Sequence, residues 1–448
     1  MREHPHRTAS EGDTDVRYSE EPEDAERVAV RQDDLPPSIR RRFREELLRR
    51  RIQAGDIAVG PGYLYRPNEI LVNTQDLDML TPRLRMFGVQ MEPVSEVHEV
   101  THLQVDSEHS VPDLLAILRH RHPESGLVPL VAPNLILTGA GNVMGNAGGP
   151  VAFAEPAEPA DATPGEPGRI TVGILDTGIA LAGSRPEHPF LASCALQDPA
   201  HDNDVRDTLP PDGHLDDEAG HGTFCAGVVL QTAPNARVAI HHVLDSEGFA
   251  TEIAVRDALV ELVEKERPDI LSLSFGAFTD NDAPLLALGA AISALPPEIV
   301  VVAAAGNQGL SKPFWPAAQK RVIGVGALDS GMYSGAGVRA SDQTPPATYS
   351  NFGWWVDAWA IGDLVSTFFL DWDDPVLPLP GGVALEARHF EGWARWSGTS
   401  FATPAVAGAI AALAERDGVG VRDAAFRLIQ AAGVPRVPAT LGAGAIVG

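Results

Sequence analysis

The sequence predicts an α/β protein built on a doubly wound, mostly parallel sheet and preceded by a small ferredoxin-like α+β domain. Two observations carry this. After Arg169, near-continuous apolar runs (ITVGILD, ARVAIHHVL, ILSLSF, IVVVAAAG, VIGVGAL) alternate with helical patterns such as Glu252 to Lys265 and Pro284 to Ala294. Strands apolar on both faces and separated by helices belong to a parallel sheet covered on both sides. Before that, residues 69–137 read in the order β-α-β-β-α-β, which is the element order of a ferredoxin-like unit.

The 448 residues are too many for one ordinary core, so two domains and linkers are expected. Residues 1–60 read as a polar, disordered tail followed by a basic amphipathic helix. In that helix, Arg40 to Arg51, seven arginines surround Phe43, Leu47 and Leu48. Three apolar residues make a thin binding face, which favours a solvated helix paired with acidic parts of the same chain. Within residues 61–138, EILVN (69–73) reads as a strand and Leu77 to Phe87 as a helix. Strands near Val89–Val94 and Val100–Val105, a helix from Val111 to Arg119 and a strand from Leu127 to Leu137 follow. Residues 139–168, rich in Gly, Ala, Pro and Glu without periodicity, read as a linker to the large domain at 169–448.

A net charge of −27 argues against nucleic acid as a partner, because phosphate binding needs a basic footprint. No run of 18 apolar residues points to a membrane, and no secretory signal follows the first residues, so a cytoplasmic location is expected, with secretion left open. Cys194 and Cys225 allow one disulfide at most.

Ligands bind such sheets beyond the strands' carboxyl ends, so the polar residues there are the candidates. Asp176 ends an apolar run; alone it is as good a turn former as a catalytic group. His221 opens a segment of small residues and Ser400 another, where a structural histidine and a helix cap are the plain alternatives. Together they are different. A serine hydroxyl needs a base, and the imidazole needs a carboxylate to fix its tautomer. The order Asp, His, Ser is one of the known orders of that constellation. Asn307, after a buried strand and a glycine, would be a rigid neutral donor at the same edge.

GILDTGIA (173–180), GHGTFCAG (220–227) and GTSFATPAVAG (398–408) closely resemble the three signature blocks of the subtilisin-like (subtilase) family. AAAGNQG (303–309) resembles its oxyanion-hole segment and LSLSFGA (271–277) its substrate-binding strand. YSNFG (349–353) and LGAGAIV (441–447) also look like family landmarks, so the resemblance covers roughly 169–448. It implies a serine endopeptidase with Ser400 as nucleophile, His221 as general base, Asp176 as its orienting carboxylate and Asn307 as oxyanion donor. It further implies that Ser274, Phe275 and Gly276 pair with an extended peptide or protein substrate. Ala304, Ala305 and Gly306 would line the pocket for the residue before the scissile bond. Cys225, four residues after His221, is expected beneath it as a buried, inert thiol.

The resemblance makes residues 61–138 a propeptide-like domain. The tail Pro133 to Gly139 would lie in the cleft, with self-cleavage between Thr138 and Arg169; a permanent accessory domain is the alternative. No cofactor or catalytic metal is expected. Structural calcium stays open for the acidic stretch Asp198 to Glu218, whose eight acids face one arginine, although a solvated loop is the simpler reading. The stretch Thr367 to Arg395, with Trp372, Trp393 and the following Trp396, is expected either at the cleft rim or over the sheet edge. A maturation peptidase dedicated to one partner, or a non-catalytic peptide-binding homologue, are the competing functions.

Overall fold

A computed structural model of the chain describes residues 28–30, 48–120, 126–139, 149–152, 170–192, 194–196, 198–208, 212–329, 344–363, 365–379, 383–431 and 445–446. The expectations for residues 1–27 and 31–36, for most of the arginine-rich helix and the linker, and for all but two residues of the closing LGAGAIV lie outside these; against the expected disordered tail, Val28–Val30 form a short strand paired parallel with Val383–Leu385.

The small domain has the expected element order. Strand β1 (Leu64–Asn73) is followed by helix α1 (Leu77–Met86), strands β2 (Gln90–Val97) and β3 (Val100–Asp106), helix α2 (Val111–Leu118) and strand β4 (Val131–Gly139). The strands pair antiparallel in the spatial order β4-β1-β3-β2, as a ferredoxin-like unit requires. Ser110 caps α2 by accepting from the Asp113 N–H at 3.3 Å, with Pro112 in the first turn. Leu80 and Leu84 of α1 and Leu114, Leu115 and Leu118 of α2 are buried in one core with Ile70 and Leu103.

The large domain is a parallel sheet. Its strands are β5 (Thr171–Asp176), β6 (Arg237–His242), β8 (Ile270–Leu273), β10 (Val300–Ala304), β11 (Val322–Leu328) and β12 (Ala358–Ile361), in the spatial order β6-β5-β8-β10-β11-β12. Short strands Ala195–Leu196 and Ala445–Ile446 close the two edges. Chain order reverses at β5, since β6 lies on one side of it and β8 on the other. Between β6 and β8 run the short strand β7 (Phe249–Thr251) and helix α4 (Glu252–Glu266). Another short strand, β9 (Phe275–Gly276), follows β8 and precedes helix α5 (Ala287–Ala294).

Helices α3 (His221–Thr232), α6 (Thr399–Asp417) and α7 (Val421–Ala431) contribute to the core on one face of the sheet. On the other face α4 and α5 share a core with the small domain. Leu71 and Val100 of the small sheet pack on Ile253 of α4 and Ala287 of α5. Polar groups fix this contact: Asn134 accepts from the Ile253 N–H and donates to Glu69 at 2.6 Å, while Arg256 donates to Ser95. Fully buried Glu252 caps α5 by accepting from the N–H groups of Ala287 and Leu288 at 2.6 and 3.1 Å.

The stretch 367–395 proves to be mostly a long antiparallel hairpin of β13 (Val365–Asp374) and β14 (Arg388–Trp396). Phe369, Phe390 and Trp396 press on Phe224 of α3 and Phe401 of α6, so the hairpin covers the start of these two helices. Both cysteines are free and buried.

Helices α3 and α6 touch at Gly408, where an added Cβ would sit 2.7 Å from Thr232 Cβ and 3.1 Å from the Val229 carbonyl oxygen. Gly408→Ala is therefore expected to cost about 1–3 kcal/mol through overpacking, read as a lowered urea midpoint at unchanged slope. A second outcome concerns pH. Burial pushes Glu252 and Asp204 up to about 7, although backbone N–H groups pull the other way. The folded chain then holds protons that the unfolded chain has released, so these groups make stability fall as pH rises between about 5 and about 7. Urea midpoints across that range should show the decline, and Glu252→Gln should flatten it.

Candidate active site

The three signature segments meet at the carboxyl edge of the sheet, in the crevice where strand order reverses. Asp176 is the last residue of β5, His221 the first of α3, and Ser400 the second of α6. All three side chains are fully buried in this structure. His221 Nδ1 lies 2.7 Å from Asp176 Oδ1, and the same oxygen accepts from the Thr177 N–H at 2.8 Å. Burial by itself favours neutral imidazole; the negative groups around it, Asp176 first, outweigh that and hold the His221 proton well above the usual range.

Ser400 and Ser274 are tied to each other reciprocally. Ser400 Oγ donates to the Ser274 carbonyl at 3.1 Å, and Ser274 Oγ donates to the Ser400 carbonyl at 2.8 Å. His221 Nε2 has no hydrogen-bond partner among the described residues, and Glu218 Oε2 lies 3.7 Å from it. The serine hydroxyl therefore rests on the Ser274 carbonyl rather than on the imidazole.

Asn307 follows β10 with its side chain fully buried. Its Oδ1 accepts twice from Thr399, from the backbone N–H and from the hydroxyl, both at 2.8 Å. That fixes which way the amide faces. Its Nδ2 has no partner among the described residues, so two N–H donors stand ready in a buried place. Ala304, Ala305 and Gly306 lead to it, all buried. Gly306 has φ +91°, and a Cβ there would meet Asn351 Nδ2 at 2.5 Å, so a side chain is barred twice over.

A second hydrogen-bond set holds the Asp176 and His221 segments against each other. Asp204 accepts from the Gly220 N–H and from the hydroxyls of Thr177 and Thr223. Thr177 Oγ1 in turn accepts from the Gly222 N–H. Sequence reasoning missed Asp204, Thr399 and Glu218. Asp204 and Glu218 were hidden among the eight acids of one loop, and Thr399 behind the serine beside it.

Cys225 Sγ lies 3.9 Å from His221 Nδ1 and 3.7 Å from the Ser400 carbonyl oxygen, beneath the pair as expected. Burial pushes this thiol up to about 11, which leaves it protonated. Among the described residues, Asp176, His221 and Cys225 form the one group of three such side chains with ligand atoms close enough to share an ion.

The edge of the site is occupied by the chain's own strand β4. It pairs antiparallel with β7 on one side (Ile136 with Thr251, Leu137 with Ala250, Thr138 with Phe249) and with β9 on the other (Thr138 with Gly276, Gly139 with Phe275). The Gly139 N–H donates to the Gly248 carbonyl at 2.7 Å. Phe275 and Gly276 are thus bonded to an extended segment, while Ser274 is held on Ser400.

Residues 168–444 match the family model described as the subtilase family. A thermophilic serine proteinase of Bacillus sp. (strain AK1) is 31% identical over 278 residues, which are 59% of this chain and 57% of that protein. Thermitase of Thermoactinomyces vulgaris is 28% identical over 255 residues, 55% of this chain and 75% of that one. The chain thus spans little more than half the length of the first relative and three quarters of the second. Among solved structures, fervidolysin from Fervidobacterium pennivorans, a keratinolytic enzyme related to subtilisin, aligns with a TM-score of 0.56 at 17% identity. That alignment covers 87% of this chain and 61% of the other, and it shows a shared fold. With more than half of its length matched by the family model, the chain belongs to the subtilase family.

Proposed function

We propose that this chain is a serine endopeptidase working through an acyl-enzyme, made as a precursor that its own N-terminal domain inhibits. The observation that carries the chemistry is the buried Asp176–His221 pair beside Ser400, together with Asn307, whose Nδ2 has no partner among the described residues. Ser400 Oγ turns from the Ser274 carbonyl to His221 Nε2, gives up its proton there and attacks the peptide carbonyl. Asp176 keeps Nδ1 as the donor nitrogen and stabilises the imidazolium. The oxyanion receives the Asn307 amide and the Ser400 backbone N–H, and these donors need no reorganisation because Thr399 already holds the amide in place. His221 then protonates the leaving amine, and water hydrolyses the acyl-enzyme by the same steps in reverse.

The substrate is an extended polypeptide lying between β7 and β9. Its main chain would make the hydrogen bonds that β4 makes now, which is recognition by strand addition. The inhibitory reading of residues 61–138 rests on that same pairing, with self-cleavage between Thr138 and Arg169 releasing the strand. No cofactor takes part in these steps; calcium in the loop 198–218 would be structural.

Intact mass of the full chain before and after incubation tests both parts. Wild type is expected to split between Thr138 and Arg169 and to hydrolyse unstructured polypeptide. Ser400→Ala should stay at full mass with no hydrolysis, and cleavage by that variant would overturn the assignment. Asn307→Ala should lower kcat by about 10²–10³ with little change in KM. The kcat/KM profile should rise with pH to a midpoint above 6.5, because the base works only when deprotonated.

A further inference from the structure

Gly139 ends the extended strand β4 with a φ outside the left-handed region, so its own conformation does not call for glycine. Its neighbours do. The backbone there is held from two sides, by the Gly139 N–H on the Gly248 carbonyl at 2.7 Å and by pairing with Phe275. With the backbone so placed, a Cβ added at Gly139 would stand 3.3 Å from both Cδ and Oε2 of Glu218 and 3.6 Å from its Oε1. That is tighter than ordinary van der Waals contact, and it sets carbon against a carboxylate to which it offers no donor.

Glu218 has no room to retreat. It is buried, and its main chain is pinned at both polar groups: the N–H donates to the Ser246 carbonyl at 2.9 Å, and the carbonyl accepts from the His221 N–H at 3.1 Å. Against its stem stands Gly248, where an added Cβ would lie 2.6 Å from Glu218 Cγ. The Gly248 turn is itself closed, by its own N–H on the Asp245 carbonyl at 2.8 Å and by the Phe249 N–H on Asp245 Oδ1 at 2.9 Å. His221 Nε2 bounds the carboxylate too, 3.7 Å from Oε2. A shift in that direction would crowd the nitrogen that has to receive the Ser400 proton.

We infer that Glu218 makes the cleft selective for glycine at the position Gly139 now takes. A substrate in the β4 register sets its following residue opposite Ser274, whose carbonyl holds Ser400 Oγ, so the selected glycine stands second before the scissile bond. A side chain there has two ways to fit. Either the substrate backbone gives up its bonds to Gly248 and Phe275, or the carboxylate is driven onto the imidazole, and both slow the reaction. The inference deepens the endopeptidase reading and rests on it, because it treats β4 as standing where substrate lies.

The test uses the full chain, incubated to activity, and three fluorogenic peptides that share the sequence of Ile136 to Gly141. They carry Gly, Ala or Leu at the place of Gly139. The glycine peptide is expected to exceed the alanine peptide in kcat/KM by about tenfold, as overpacking of a closed site allows, and the leucine peptide to be poorest. Product masses should place the cleaved bond one residue beyond the varied position. Glu218→Asp, which keeps the charge but withdraws it by one methylene, should narrow the glycine-to-alanine ratio. The wild-type comparison needs no variant to fold, and Glu218→Ala stands in should Glu218→Asp fail. Equal kcat/KM for the glycine and alanine peptides overturns the inference and leaves the endopeptidase reading intact. So does cleavage at another bond, or a glycine preference that shortening residue 218 does not narrow. Absence of any Ser400-dependent hydrolysis overturns both.

Discussion

At Gly178 and Gly222 two backbones touch. A Cβ on Gly222 would stand 2.1 Å from the Gly178 carbonyl oxygen, and one on Gly178 would stand 2.5 Å from that of Asp202. No other residue type lets the end of β5 and the start of α3 come this close. The approach brings the Asp176 carboxylate within hydrogen-bond reach of the His221 ring, and buries both. Burial in turn demands compensation, which Thr177 and the Asp204 set provide with donors drawn from the same segments. The glycines of the two signature blocks are thus the geometric condition for the carboxylate–imidazole pair.

Much of this was legible in the sequence, for reasons that differ by element. The parallel strands announce themselves because strands covered on both faces are apolar throughout, as in Ile270–Leu273 and Val300–Ala304. Asp176, His221, Ser400 and Asn307 could be singled out because each is polar or small where an apolar element stops or starts. The small domain was readable as element order alone; that its fourth strand pairs with β7 and β9 depends on backbone hydrogen bonds, which leave no trace in side-chain pattern. Residues that act at long range stayed hidden. Glu252 caps a helix that begins 35 positions later, and nothing near either residue signals the partner. Helix α5 itself starts at Ala287, not at Pro284.

The two sheets are not independent. Strands β7 and β9 belong to the large domain by sequence, yet they complete the sheet of the small one. The face of that sheet rests on α4 and α5, whose first turns are tied together by Glu252. The small domain therefore bonds to the large one along an edge and across a face at once, and the edge contact runs into the crevice that holds Ser400.

Holding an occupant by its backbone, on the same polypeptide, has a consequence for how firmly the crevice is closed. While the chain is continuous, β4 meets β7 and β9 at an effective concentration on the order of millimolar, set by the tether and indifferent to dilution. A single break beyond Gly139 leaves every contact in place but turns the strand's return into an encounter between two molecules. From that moment, occupancy depends on how much protein is present, and a dilute solution empties the crevice that a concentrated one keeps filled.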